Sequence, residues 1–414
     1  MFEPAFAYFT AIKGQKMLFL TLFYCKLLKQ PPLFAKAKAL PRVAPKLEWV
    51  NALRGLAILG VILCHTYIYA IPGKGVTGNP WPALPALLQA IAQEGRMGVQ
   101  LFFIASAFTL FLSGNGSHRT ERRPVLNFFL RRFFRIAPIY YLGIAYFGVW
   151  HHFVDGYTVT PWEVLANVFF VNAITPELIN RVVPGGWSIS VEMMFYCLVP
   201  LLVRSIRSVS AALWLICGSL FLVYGVKVVL SKLGLFPSTE LTNDFLYYFL
   251  PNQLAIFGLG MLFYHLYQGT SVDQPGVASV RPGVLLACAA VVVFNNLVGI
   301  PNIGFHFFYG VAVVLLALAL SKRPYFLFVN PLTTFVGTIS FSLYLVHFAV
   351  LYAAQQFHWI NIIDPSTALR ATLNFGLRYA VVLAASSVAA YAMYHLIEVP
   401  CQNLGKRFIA RLEQ

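Results

Sequence analysis

Two ionisable side chains on one apolar segment are the residues best placed for chemistry in this sequence. Arg54 and His65 lie eleven positions apart in a run that is otherwise almost entirely hydrophobic. In an α-helix that spacing amounts to three turns plus about 20°, so both side chains project from one face, about 16 Å apart along the axis. Ionisable groups are expensive when they face lipid, so the pair predicts a protein-lined or water-filled cavity.

His65 is the candidate for acid–base chemistry. Imidazole titrates close to neutral pH, so it can take a proton from an attacking hydroxyl group. A neighbouring carboxylate would fix the tautomer of the imidazole, and Glu192 lies about one turn inside a predicted helix. We therefore predict His65 and Glu192 as the catalytic residues, provided that their two helices touch.

Three further polar side chains lie in apolar segments that can face the same cavity. Tyr344 and His347 share one helical face, and Arg378 lies within the last long apolar segment. An intramembrane histidine is often a hydrogen-bonded packing residue. We therefore predict that these three residues shape the substrate site rather than react.

The elements that carry these residues have the composition of a membrane protein. The 414 residues are 59% hydrophobic and 11% charged, with a mean hydropathy of +0.72, whereas soluble domains carry about 25% charged residues. The six cysteines form neither a paired motif nor a cysteine–histidine cluster at ligand spacing. The composition excludes a soluble enzyme, and the cysteines favour neither a disulfide framework nor a metal site.

Ten apolar segments are long enough to cross a bilayer, given a spanning length of about 17–25 residues. They cover residues 48–70, 97–113, 137–154, 187–204, 210–230, 246–267, 282–298, 304–321, 334–356 and 372–397. The predicted fold class is therefore all-α, a polytopic transmembrane helical bundle of about ten helices. Its predicted parts are a basic cytoplasmic N-terminal tail (1–46), a membrane domain (47–407) and a short cytoplasmic C-terminal tail (408–414).

The placement of the basic residues explains the net charge of +16. With the N terminus inside, most of the 30 lysines and arginines fall in cytoplasmic segments, and few fall in outer loops. This bias predicts that both termini are cytoplasmic, and it attributes the charge to membrane topology rather than to nucleic-acid binding. Arg54 then lies near the cytoplasmic face, and His65 lies in the outer half of the membrane.

Six short patterns follow one another along the chain. They are Arg54-Gly55-Leu56-Ala57 with His65, Gly98 to Phe108, Arg131 to Tyr141, Gly186 to Glu192, Ser340 to His347, and Glu398-Val399-Pro400. Together they resemble the acyltransferase-3 family of integral membrane acyltransferases. The resemblance implies transfer of an acyl group, commonly acetyl from acetyl-CoA, to a hydroxyl of a surface or exported glycan or glycolipid. It also implies that Trp187 and Ser188 contribute to substrate binding.

An acyl-CoA donor would account for a cluster of arginines. The CoA nucleotide carries several phosphates, and the arginine fork binds two oxygens at once. We therefore predict that Arg131, Arg132 and Arg135 hold the nucleotide, while Arg54 steers the donor inward. The alternative is that these arginines only set topology and anchor lipid headgroups. Acetyl-CoA is expected as a co-substrate, with no permanently bound cofactor and no metal.

The chain departs from the family pattern at two positions. Ala107 stands where the family usually has glycine, which predicts altered close packing of that helix. Met193 stands where a second glutamate often follows the first, so Glu192 alone can carry the carboxylate role.

The acyl group is predicted to cross the cavity either on the pantetheine arm or through an acyl-histidine intermediate.

A second class of function stays open. A membrane transporter or flippase of a sugar-containing or small polar solute would use such a cavity without needing His65. Broken helices in two repeated halves would favour a transporter, and no such repeat is obvious in the sequence. The expected location is a bacterial inner membrane, with membrane lipids, acyl-CoA and a glycan or glycolipid acceptor as partners. The residues predict neither the oligomeric state nor the identity of the acceptor.

Overall fold

The computed structural model describes residues 47–69, 81–114, 121–234, 239–268, 280–297, 305–357 and 362–414, and in these ranges the ordered elements are all helices. The predicted tail, residues 1–46, lies outside the described residues. The α-helices are α1 (Glu48–Ile68), α2 (Ala86–Glu94), α3 (Gly98–Gly114), α4 (Pro124–Phe153), α5 (Pro161–Val168), α6 (Gly186–Ser205), α7 (Val209–Leu233), α8 (Thr239–Tyr248), α9 (Leu250–Gln268), α10 (Pro282–Leu297), α11 (Phe305–Lys322), α12 (Pro331–Thr338), α13 (Ser340–Gln356), α14 (Ala368–Met393) and α15 (Val399–Glu413). A 3₁₀ turn, Gly95–Met97, joins α2 to α3, and a π-helical turn, Tyr394–Glu398, joins α14 to α15.

The predicted all-α membrane bundle is confirmed, but the described residues provide fewer spans than the ten predicted. Every predicted segment contains a helix, yet only six helical stretches are long and apolar enough to cross a membrane, or seven if the bent pair α12–α13 counts as one span. Helix α10 has only 16 residues. Helix α9 carries Asn252, Gln253 and His265, which make it more polar than a typical span. The shortfall therefore lies in α9, α10 and α11.

Helix α1 lies against α3, α12, α13 and α14. Its crossing with α12 is so close that a Cβ atom on Gly337 would lie 1.8 Å from the Asn51 carbonyl oxygen. A Cβ on Gly55 would lie 2.0 Å from the carbonyl oxygen of Thr333. Only glycine permits this backbone contact, which fixes how α1 and α12 lie against each other.

The alanine at position 107 is accommodated by a glycine on the facing helix. Helix α3 packs against α9, and a Cβ on Gly260 of α9 would lie 2.7 Å from the Ala107 Cβ and 2.5 Å from the Ile104 carbonyl oxygen. The close approach of the two helices therefore survives the extra methyl group because the opposite residue has no side chain.

Two interruptions of the helices set the direction of functional side chains. Helices α12 and α13 form an angle of 81° at a break around Ile339. The π-helical turn ends at Glu398 and shifts the register of the last helix by one residue. Turns of this kind occur frequently at functional sites. Both interruptions lie beside the polar residues described next.

Candidate active site

His65 of α1 and His347 of α13 form a directly hydrogen-bonded pair, hereafter the histidine pair. His65 Nδ1 lies 2.8 Å from His347 Nε2, and the two rings stack with 15° between their planes. His347 Nδ1 lies 3.1 Å from the carbonyl oxygen of Leu343. Phe348 packs against both imidazoles, with ring centroids at 4.6 and 4.1 Å. His347 is fully buried, whereas His65 is partly exposed.

Tyr344 and Ser188 meet next to the histidine pair. Ser188 Oγ donates to Tyr344 Oη at 2.9 Å, and Tyr344 Oη donates to the carbonyl oxygen of Gly185 at 3.0 Å. The Tyr344 ring centroid lies 5.8 Å from that of His347. Gly185 has a φ of 70°, and a Cβ there would lie 2.7 Å from the Tyr344 hydroxyl. The left-handed glycine thus lets α6 begin directly against α13.

Trp187, the neighbour of Ser188, belongs to a group of aromatic side chains. Its ring centroid lies 4.7 Å from Tyr248, 6.0 Å from Tyr247 and 6.1 Å from Phe103. Ser188, Tyr344 and His347 therefore form a chain of contacts that ends at His65, and Trp187 precedes Ser188 on α6. This grouping offers flat aromatic surfaces and hydroxyl groups to a ligand.

Among the described residues the structure does not bring Glu192 to His65, so the condition for its role beside the imidazole is not met. The Glu192 carboxylate accepts hydrogen bonds from Ser106 Oγ at 2.6 Å and from Tyr196 Oη at 2.5 Å. It also interacts electrostatically with Arg54 and Arg132. The physical reason is that α6 packs on α3, which supplies Ser106. Glu192 therefore belongs with the arginines, and His347 occupies the place predicted for it.

Three of the four predicted arginines, Arg54, Arg132 and Arg135, interact with one another; they are called the arginine cluster below. Within the described part of the chain, the hydrogen bond of the Arg54 guanidinium is a long one, 3.4 Å from Nη2 to Thr109 Oγ1. The Arg132 guanidinium lies 5.7 Å from the Tyr196 ring centroid. Its Nε is buried and finds no hydrogen-bond partner among the described residues.

Arg131 differs from this cluster. Its guanidinium binds Glu121 through two hydrogen bonds of 3.0 and 3.2 Å, in an ion pair that is largely shielded from solvent. A charge that is already neutralised in a bidentate pair is a poorer ligand for phosphate. The prediction that Arg131 acts together with Arg132 and Arg135 is therefore not supported by its contacts.

Glu398 is a candidate site residue that the sequence analysis did not assign. Its side chain is 3% exposed, and it accepts hydrogen bonds from Ser342 at 2.7 Å and from Gln402 at 3.1 Å. Arg135 and Arg54 interact with it electrostatically. An acidic residue inside an apolar segment, just before Pro400, was the signal that could have identified it.

Arg378 lies at the end of α1 rather than at the histidine pair. Its Nη2 donates to the carbonyl oxygen of Tyr69 at 2.6 Å, and its guanidinium lies 5.9 Å from the Trp81 ring centroid. Gln355 donates to the same carbonyl at 3.0 Å. A cation at this end complements the helix dipole. The predicted convergence of Arg378 with His65 and His347 is thus replaced by a contact with the C terminus of α1.

In the ranges that the structure covers, no three His, Cys, Asp or Glu side chains are grouped as potential metal ligands. Helix α1 contributes His65 to the histidine pair and, about 16 Å away along the helix axis, Arg54 to the arginine cluster. One end can exchange a proton, and the other can bind an anion.

Comparison with known proteins points in the same direction. The family described as an acyltransferase domain matches residues 47–395. The acyltransferase MdmB of Streptomyces mycarofaciens is 27% identical over 395 residues, which cover 89% of this chain and 94% of that protein. A putative acetyltransferase, ORF330, of Acidianus two-tailed virus is 27% identical over 228 residues, or 54% of this chain and 58% of the viral protein. No solved structure matches the chain significantly.

Proposed function

The chain belongs to the acyltransferase domain family that matches residues 47–395, and we propose that this integral membrane acyltransferase moves an acyl group from acyl-CoA to a hydroxyl group. The proposed acceptor is an envelope or exported glycan or glycolipid, and acetyl is the proposed acyl group. The observation that carries the proposal is a partly exposed imidazole, His65, on the same helix as a guanidinium, that of Arg54, whose hydrogen bond among the described residues is a long one of 3.4 Å.

The proposed reaction takes place at His65. The acceptor oxygen attacks the thioester carbonyl carbon while the imidazole takes the hydroxyl proton. The carbon–sulfur bond then breaks, and the new carbon–oxygen bond remains as an ester. The CoA thiolate receives the proton back from the imidazolium, so the products are an acyl ester and free CoA thiol.

The proposed binding site for the CoA phosphates is the arginine cluster. Arg54, Arg132 and Arg135 share two nearby carboxylates, those of Glu192 and Glu398. The cluster therefore keeps a net positive charge, which favours an anion. In this arrangement the acyl end of the donor extends along α1 towards His65.

The proposed sidedness follows from the substrates. Acyl-CoA is cytosolic, so the arginine cluster would face the cytoplasm and the histidine pair would face the outer half of a bacterial inner membrane. Both termini would then be cytoplasmic, in line with the excess of basic residues in the predicted inner segments.

The test is a transfer assay with membrane vesicles that contain the protein. Vesicles receive acetyl-CoA labelled in the acetyl group together with extracted envelope glycolipids, and both free thiol and labelled ester are measured. We expect equal amounts of the two products, and less than a tenth of that yield from vesicles without the protein. A protein that consumes no thioester with any glycan or glycolipid, but moves a sugar-containing solute across the vesicle, would overturn the proposal in favour of a transporter.

A further inference from the structure

We infer that His347 is a positioning residue that fixes the tautomer of His65 and leaves Nε2 of His65 as the free basic nitrogen. This inference rests on the proposed function, because it concerns the residue proposed as the base. It assigns to an imidazole the role that a carboxylate was expected to fill.

The proton positions follow from one carbonyl group. The carbonyl oxygen of Leu343 can only accept, so His347 Nδ1, 3.1 Å away, must carry the hydrogen. A neutral imidazole has one N–H, so His347 Nε2 is then an acceptor. The nitrogen that faces it at 2.8 Å is Nδ1 of His65, which must therefore donate. The hydrogen of neutral His65 lies on Nδ1, and its Nε2 keeps the lone pair.

The opposite arrangement is disfavoured by the same geometry. If His347 donated from Nε2, its Nδ1 would carry a lone pair facing the lone pairs of the Leu343 oxygen. Leu343 lies one helical turn before His347 on α13, so the geometry of the helix itself places the Leu343 carbonyl oxygen next to His347 Nδ1. The full burial of His347 keeps water from supplying an alternative partner.

The arrangement suits a base that must gain and lose a proton in each cycle. When Nε2 of His65 takes the hydroxyl proton, Nδ1 still carries its hydrogen and still donates to His347. The ring therefore needs no reorientation between the neutral and protonated states. The stacking of the two imidazoles and the contact with Phe348 hold the same geometry in both.

No carboxylate of the described residues forms a hydrogen bond with either imidazole. The partners of Glu192 are Ser106 and Tyr196, and those of Glu398 are Ser342 and Gln402. The orienting group is therefore neutral. It can set direction and tautomer, but it does not supply the negative charge that a carboxylate would add.

The kinetic test compares two substitutions of His347. His347→Leu removes the acceptor and keeps an apolar side chain, whereas His347→Gln keeps an amide oxygen that can accept from His65. Loss of the group that fixes the tautomer of a catalytic histidine lowers kcat by up to about 10⁴-fold in a serine protease. We expect His347→Leu to lower kcat about 10²–10⁴-fold with an unchanged KM for acyl-CoA, and His347→Gln to stay within about tenfold of the parent protein.

His306→Leu is the matched control. His306 is a partly buried histidine on α11 that is hydrogen-bonded to Asn252 at 3.0 Å and lies 5.6 Å from the Tyr247 ring, and among the described residues it contacts neither imidazole of the pair. Its loss should leave kcat within about twofold, because it does not touch His65. Equal losses in His306→Leu and His347→Leu would indicate a general packing effect and would overturn the inference.

A spectroscopic readout tests the inference without relying on turnover. Nitrogen-15 NMR of histidine-labelled protein in vesicles reports which ring nitrogen carries hydrogen, and the His65 signals are identified by their loss in His65→Gln. We expect hydrogen on Nδ1 in the parent protein and a mixture of tautomers in His347→Leu. Hydrogen on Nε2 of neutral His65 in the parent protein would overturn the inference.

The proposed base, His65, and the proposed positioning residue, His347, are contradicted by different results. If His65→Gln transfers acyl groups at the parent rate, the proposed base is wrong, whatever tautomer the spectrum shows. If His65→Gln is inactive while His347→Leu keeps the parent kcat, the proposed base stands and the role of His347 fails.

Discussion

The histidine pair and the arginine cluster each take one residue, His65 and Arg54, from helix α1, yet their polar groups find partners in opposite ways. His65 and His347 are linked by a 2.8 Å hydrogen bond that continues to a backbone carbonyl, and aromatic rings enclose them. In the part of the chain that the structure describes, the Arg54 guanidinium makes a long hydrogen bond of 3.4 Å to a hydroxyl group. Buried polar groups normally have close hydrogen-bond partners, so the end that lacks them is the one prepared to receive them from a ligand.

This contrast separates two tasks that an acyl transfer requires. A base must be held rigidly in one orientation before the substrate arrives, because misplacement is costly in rate. A binding site for the charged acyl-CoA needs hydrogen-bond donors that are not already paired within the protein. In the proposed reaction the two ends of α1 divide these tasks, and substitutions should therefore affect kcat at one end and KM at the other.

The largest expected effect is at the histidine end. His65→Gln should lower kcat at least about 10²-fold, because a general base contributes about 10²–10⁴-fold, while KM for acyl-CoA stays within about twofold. Initial rates over a range of acyl-CoA concentrations give both constants. A variant that changes only KM would contradict the division of catalysis and binding between the two ends, since the histidine end would then also act in binding.

The next effect is at the arginine end. Arg54→Gln should raise KM for acyl-CoA about tenfold to a hundredfold with a much smaller change in kcat, because a hydrogen bond to a charged group contributes about 1.5–3 kcal/mol. Direct binding of labelled CoA to the variant should weaken by the same factor. Unchanged CoA binding would remove Arg54 from the proposed donor site and leave the cluster with a structural role.

A smaller effect of opposite sign, a decrease in KM for acyl-CoA, is expected at Glu398. It tests more finely how the arginine end differs from the histidine end. The Glu398 carboxylate interacts electrostatically with Arg135 and Arg54, so it competes with an incoming phosphate. Glu398→Gln should lower KM for acyl-CoA about twofold to fivefold, corresponding to about 0.5–1 kcal/mol. Glu121→Gln is the matched control, because Glu121 pairs with Arg131 and should leave KM unchanged. A higher KM in Glu398→Gln would mean that the carboxylate orients the arginines rather than competing for them.

A further effect, on stability rather than on activity, lies outside both ends, at Glu163 in α5. Burial alone would raise its pKa, but hydrogen bonds from Tyr157, Thr160 and Arg181 outweigh burial and lower the pKa to about 2. The carboxylate therefore stabilises the folded state above about pH 4.5, and this contribution is lost as the pH falls from about 4.5 towards 2. After solvent screening we expect about 1 kcal/mol.

Thermal unfolding in detergent between pH 5 and about pH 3 measures this contribution. The parent protein should lose more stability than Glu163→Gln over this interval, because the variant has no carboxylate to protonate. Parallel losses in the two proteins would show that the acid sensitivity arises elsewhere. The Glu163 contacts would then make no measurable contribution to the stability of the folded state.

The sequence predicts these two ends to different extents, for physical reasons. Helical periodicity alone places Arg54 and His65 on one face. The same rule separates Arg131 from Arg132, which are 100° apart, and joins Arg132 to Arg135. The partner of His65 is not encoded locally, since it depends on whether α6 or α13 reaches α1. The role of Glu398 depends on a π-helical turn, which leaves no mark in hydrophobic periodicity.

The fold was predictable in class but not in detail. Long apolar segments such as Val209–Leu233 indicate a membrane helix without ambiguity. The polar residues Asn252 and Gln253 make α9 a marginal span, and their contacts with the carbonyl of Tyr247 explain why they lie inside a helical protein. Composition treats such residues as evidence against a membrane span. In the structure their hydrogen-bonding groups are paired with neighbours that the local sequence does not reveal.

The close fit of α1 against the C-terminal third of the chain has a consequence for biogenesis. His65 and His347 are separated by 282 residues, which a ribosome synthesising about 5–20 residues per second adds in roughly 15 s to 1 min. During that interval the face of α1 that carries Gly55 lacks α12, the helix it packs against in the folded protein. We expect α1 to complete its packing only after α12 and α13 have been synthesised and inserted.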